Sequence, residues 1–132
     1  MCDLDLVQGY HAAVRDDFTA FVVSRFAELH GGLPPLFGGH IEVMASRLVD
    51  VQNGRIRRLI INVPPRHLKS LIVSVAFAAW VLGHDPSAKI MAISYAQPLA
   101  DKLARDTRAI MTSSWYQRLS PTPNWCRTLW RS

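Results

Sequence analysis

The stretch 59–82, LIINVPPRHLKSLIVSVAFAAWVL, constrains the fold more than any other part of the chain. Leu59, Ile60, Ile61 and Val63 make an apolar, β-branched run without helical period, which predicts a short strand buried on both faces. Residues 70–82 are apolar nearly all the way round and predict a buried helix with Trp80 in the core, ended by Gly83 and Asp85-Pro86. A second run, AKIMAISY at 88–95, is another buried-strand candidate. Pro98 then suits the first turn of a helix reaching about Met111, with Leu99, Leu103 and Ile110 inward. Strand, helix and strand in that order, with apolar strands, predict a parallel sheet with right-handed crossovers and an α/β fold.

Two helices are expected before this core. Val14, Phe18, Phe21, Val22, Phe26 and Leu29 recur at helical spacing within 10–29, and Ile41, Met44, Ala45, Leu48 and Val49 do so within 41–51, stopped by Asn53-Gly54. The glycine- and proline-rich HGGLPPLFGGH between them breaks regular structure. The organisation read from this is an N-terminal helical segment over 1–56, a nucleotide-binding core over 57–119 and an unassigned tail over 120–132.

At 132 residues, with 49% apolar and 19% charged residues, the chain has enough apolar material for one globular core. Its net charge of +5 suits a polyanionic partner, nucleic acid or nucleotide phosphate. Cys2 and Cys126 lie near opposite ends in no metal or redox spacing and read as free thiols of a reducing cytoplasm. The acidic N-terminus, with Asp3 and Asp5, lacks the basic region of a signal peptide, and the apolar run 71–83 is short of the roughly 20 residues a membrane helix needs.

The segment PPRHLKS decides the functional reading. A phosphate loop of the form G-x-x-x-x-G-K-[ST] follows a buried strand and opens a helix, so that backbone N–H groups wrap the phosphates at the positive helix end. Aligned on Lys69-Ser70, that frame puts Val63 and Leu68 where the two glycines would stand. A branched side chain at positive φ is strained, so phosphate binding here requires an altered backbone path. The competing reading is a rigid Pro64-Pro65 turn before a solvated lysine. Against it, Arg66, His67 and Lys69 crowd the positive end of one helix, which repels them unless an anion sits among them.

The residues RRLIINVPPRHLKSLIVSVAFAAWVLGHDPSAKIMAISYAQPLADKLARDTRAIM resemble the N-terminal ATPase domain of phage large terminase subunits, the DNA-packaging motor proteins. VPPRHLKS and SYAQPLA are the specific part of a resemblance that covers roughly 18–119. In that family P-P-R-x-x-K-[ST] commonly replaces the glycine-rich Walker A loop, and leucine before the lysine is among its variants. The resemblance implies a partial P-loop NTPase, a parallel sheet with flanking helices, preceded by the two N-terminal helices. It implies ATP and Mg²⁺ as cofactors, with Lys69 on the outer phosphates and Ser70 on the metal. Arg66 would bind or stabilise phosphoryl charge as the second catalytic candidate, its planar fork matching phosphate oxygens. Pro65, His67 and Leu68 would complete the nucleotide cradle, and His40, in GGHIEVMASRL, would approach adenine or ribose. A capping or surface role for His40 stands equally open.

Tyr95 and Gln97, at the end of the second apolar run, are further candidates, with helix capping as their plainer role. Lys102, Arg105 and Arg108 read most simply as a solvated face, and DNA tracking is the sharper alternative. No apolar run ending in paired carboxylates follows Ser70, and no nuclease carboxylate cluster is seen, so nucleotide binding with little turnover is expected of a truncated or frameshifted product. Loss of further strands would then expose apolar edges and leave the chain marginally stable. In full-length relatives the resemblance implies double-stranded DNA, portal and small terminase subunit as partners, in the host-cell cytoplasm and without a membrane. The competing functions are a non-catalytic nucleic-acid-binding or assembly fragment, and another P-loop NTPase or helicase.

Overall fold

Helices satisfy their own backbone hydrogen bonds, and helices organise all the regular structure in the computed structural model, which describes residues 2–29, 38–65 and 68–119. The chain divides into two units, Met1–His67 and Leu68–Ser132.

The first unit holds α1 (Cys2–Asp16), α2 (Phe18–Leu29) and α3 (Gly39–Gln52), with α2 packed against both α1 and α3. The apolar periodicity of 10–29 belongs to two helices rather than one. Asp17 separates them, and its Oδ1 accepts the Thr19 N–H at 2.8 Å, which caps the start of α2. Val14, Phe18, Phe21, Val22 and Phe26 are buried, as their spacing predicts, and so are Ile41, Met44, Ala45 and Leu48 of α3, against which α2 packs. Tyr10 Oη donates to Ser24 Oγ at 2.7 Å and ties α1 to α2 on the outside. Helix α3 ends at Gln52 with Asn53 as its C-cap, and Gly54, at φ 74°, takes the left-handed turn that a side chain resists.

In the second unit helix begins at Lys69, runs as a π-helix over Leu71–Ala76 and continues as α4 (Phe77–His84). Helix α5 (Gln97–Thr112) packs on both parts of this rod, and α6 (Ser114–Leu119) packs on α5. Ile72, Val75, Ala76, Ala79, Trp80 and Val81 supply one side of the core, and Ile110, Met111, Tyr116 and Leu119 the other. Pro98 sits in the first turn of α5, where its missing N–H costs nothing.

The expected parallel sheet is not there. Among the described residues there is no strand, and both apolar runs read as buried strands are irregular. Ile60 is 93% exposed in the first, and Ile93 and Tyr95 are 86% and 96% exposed in the second. The α/β, partial P-loop NTPase fold is therefore corrected to an all-helical arrangement. The physical reason is that β-branched, non-helical composition marks a segment unsuited to helix, whereas a strand exists only through a ladder with a neighbour. The helical pattern was readable because a helix carries its partners within itself. The 120–132 tail and residues 30–37 lie outside the described residues.

Candidate phosphate-binding site

The loop residues fall on both sides of the division between units. Pro64 and Pro65 close the described part of the first unit, while Leu68, Lys69 and Ser70 open the second. Arg66 and His67, the candidate arginine and its neighbour, lie outside the described residues.

Leu68 has φ 58°, the one non-glycine residue with positive φ among the described residues. It is the residue aligned with the second glycine of the phosphate-loop frame. A left-handed leucine costs about 1–2 kcal/mol relative to an ordinary conformation. The leucine therefore adopts the glycine-like backbone directly, whereas the sequence reading expected the chain to avoid it. Val63, aligned with the first glycine, has no such conformation.

Immediately after this turn the helix starts. The Ile72 N–H reaches the Leu68 carbonyl at 2.9 Å, which is the first rung of the ladder. The N–H groups of residues 69–71 precede that rung and point along the axis away from the helix body. They form the positive end of the dipole, where an anion is favoured and a cation is not. Lys69 and Ser70 are both exposed on this first turn, and among the described residues Lys69 makes no ion pair. Ser70 is already helical, at φ −64° and ψ −37°. Left-handed residue, lysine, serine and helix start thus follow one another without a gap.

Mg²⁺ would have little protein to bind here except the Ser70 hydroxyl. Among the described residues no three histidine, cysteine or acidic side chains group as a metal site. One hydroxyl fits a cation that arrives with phosphate oxygens and keeps its waters, and does not fit a resident metal.

His40 lies in the first unit, on the first turn of α3, and helps line an open cavity of about 330 Å³ with Val43, Arg47, Asn62 and Val63. Tyr95 projects into solvent, and Gln97 Nε2 donates to Asp101 Oδ1 at 2.8 Å along α5, a side-chain pair four residues apart and not a cap, since the start of α5 carries no side-chain cap bond. Lys102 is paired with Asp106 at 3.1 Å and is exposed with Arg105 and Arg108 on α5. The feature that sequence reasoning missed is the π-helical segment directly after Ser70. A helix apolar on all sides gives no phase from which it could have been found.

No helix among the described residues is long and apolar enough to cross a membrane. No family model, no curated protein and no solved structure matches the chain.

Proposed function

We infer that the chain binds the polyphosphate of Mg²⁺-ATP at Leu68, Lys69 and Ser70. The observation that carries this reading is the left-handed backbone of Leu68 directly before Lys69-Ser70 and a helix N-terminus. A strained leucine at that one position supports a loop shaped for an anion rather than a simple proline turn. In this reading the N–H groups of 69–71 receive phosphate oxygens, the Lys69 ammonium lies against the outer phosphates, and the Ser70 hydroxyl completes the Mg²⁺ shell. The resemblance carried by VPPRHLKS and SYAQPLA supports the assignment of this binding to the ATPase part of a DNA-packaging motor, with double-stranded DNA, portal and small terminase subunit as the partners of full-length relatives. The binding proposal rests on the local geometry of 68–70 and does not require the parallel sheet.

Calorimetric titration of Mg²⁺-ATP into the full chain tests it. Lys69→Ala is expected to weaken binding by about tenfold or more, and Lys102→Ala, on the solvated face, to leave it unchanged. Equal binding by wild type and Lys69→Ala would refute the assignment.

A second reading has its own observation, the exposed Lys102, Arg105 and Arg108 on α5. Salt-sensitive DNA binding unaffected by ATP would favour a nucleic-acid module. The Lys102–Asp106 pair already offsets part of that charge, which makes this the weaker of the two.

A further inference from the structure

From 88 to 94 the chain runs without helix, turn or bend, and no residue there stands at positive φ. The Ala88 N–H closes the preceding turn onto the Asp85 carbonyl at 3.1 Å, and bonding resumes at the Ala96 carbonyl, which accepts from Leu99 and Ala100. Between these points, among the described residues, the backbone of 89–95 makes no hydrogen bond. An exposed row of N–H and C=O groups in extended chain is a template for a second extended chain.

The side chains add apolar surface to that edge. Met91, Ile93 and Tyr95 alternate along the run, so they share one face of an extended chain, and they are 83%, 86% and 96% exposed. Ile90, on the other face, lines a cavity together with Ala88, Ala92, Ala78 and Leu82 of α4, and Leu103 of α5. A strand added here is therefore carried on helices. It differs in this from an isolated two-stranded ribbon, which is marginal in water.

The run AKIMAISY is complementary to itself. About a two-fold axis through Ala92, antiparallel pairing sets Met91 of one copy opposite Ile93 of the other, and Lys89 opposite Tyr95. Lys89 is the one charged residue of the run, and this arrangement brings its cation to an aromatic ring. Parallel in-register pairing would set Lys89 against Lys89, which repels. Three side chains of this size expose on the order of 500 Å² per copy. Two copies together reach on the order of 1,000 Å², the low end of specific interfaces, which suits a weak and reversible contact.

We propose that 88–95 is a homotypic docking edge, at which two copies of the chain pair antiparallel about Ala92 to form a reversible dimer. The strand exists only in the pair, and each copy alone keeps the helical arrangement described above. No residue of 68–70 takes part, so the pairing stands or falls apart from nucleotide binding.

Sedimentation velocity of the full chain from about 1 to 200 μM, with infrared spectra of the same samples, tests it. The mass should climb from monomer toward dimer with a dissociation constant on the order of 10 μM, and an antiparallel-sheet amide I band should grow in step. Ile93→Lys alters only an exposed side chain and should weaken the dimer by about tenfold or more. The N–H groups of residues 91 and 92 point to opposite edges, so one of Met91→Pro and Ala92→Pro removes a pairing donor. That variant should abolish the dimer while the helical circular dichroism stays at wild-type strength. A monomer at every concentration would overturn the proposal, and so would a dimer unmoved by Ile93→Lys. A dimer lost in Ile93→Lys but kept in both proline variants, or formed without the sheet band, would mean apolar sticking and overturn strand pairing. Growth past the dimer into open-ended oligomers would overturn the closed two-fold pair.

Discussion

Tyr116 Oη donates to the Ala79 carbonyl at 2.7 Å, a buried bond between residues 37 positions apart that fastens α6 to α4. The same oxygen lies 3.0 Å from where a Cβ at Gly83 would stand, so the glycine is the clearance that lets the phenol reach the helix. This contact closes the second unit from its C-terminal side, and α4 is the fixed rod on which the helix start at 69–76 is built.

Tyr116→Phe removes the bond while keeping the ring, and should lower stability by about 1 kcal/mol in urea unfolding of the full chain. Gly83→Ala gains about 1 kcal/mol of helix propensity but crowds the hydroxyl. It should therefore stabilise more in the Tyr116→Phe background than in wild type. Equal effects of Gly83→Ala in both backgrounds would show that the close approach is not under tension.

The left-handed Leu68 sharpens a preference that its place before a helix already has, glycine over valine. At φ 58° a β-branched side chain is the most strained choice and glycine the least. Leu68→Gly should be more stable than Leu68→Val by about 1–2 kcal/mol, and should retain Mg²⁺-ATP binding. Thermal melts of the two variants side by side check the order, and valine above glycine would refute the left-handed conformation.

The turn after α4 supplies a pH dependence. Asp85 is held below the usual carboxylate pKa of 3.8, first by the Ser87 hydroxyl and then by the Ser87 backbone N–H, both donating to its carboxylate, against a smaller opposing effect of desolvation. A folded pKa below the unfolded one means the unfolded state binds the proton more readily. The contribution is therefore complete above pH 3.8 and is lost as pH falls through the folded pKa. Because the group is fully exposed, the effect on the melting temperature should be small. Wild type should melt above Asp85→Asn at pH 6, and the gap should narrow as pH falls below 3.8 through the folded pKa in a melting series, since a protonated carboxyl is a weaker acceptor than the carboxylate. A gap that stays constant to pH 2 would mean the hydrogen bonds do not favour the charged form.

How far the sequence could be read depended on where each element finds its partners. Val14, Phe18, Phe21, Val22 and Phe26, with Ile41, Met44, Ala45 and Leu48, were legible as core because helical spacing is written within each segment. The runs at 59–63 and 88–95 were not, because their composition is the same whether a ladder forms or not, and here Ile60 and Ile93 face solvent. The Leu68 turn was half legible: aligning Lys69-Ser70 with a phosphate loop marked the position, but not that leucine would accept the glycine conformation. The π-register was illegible for a related reason. A helix apolar on every side gives no phase, so nothing in 70–82 distinguishes Ile72 from Val73 as the inward residue.

The central claim, that Leu68, Lys69 and Ser70 hold a polyphosphate, is tested most directly by ³¹P NMR of Mg²⁺-ATP titrated with the full chain. The β- and γ-phosphorus resonances should shift and broaden with wild type, the α resonance less, and all three should stay at their free positions with Lys69→Ala. Unmoved resonances with wild type, or the same shifts with Lys69→Ala, would contradict the claim.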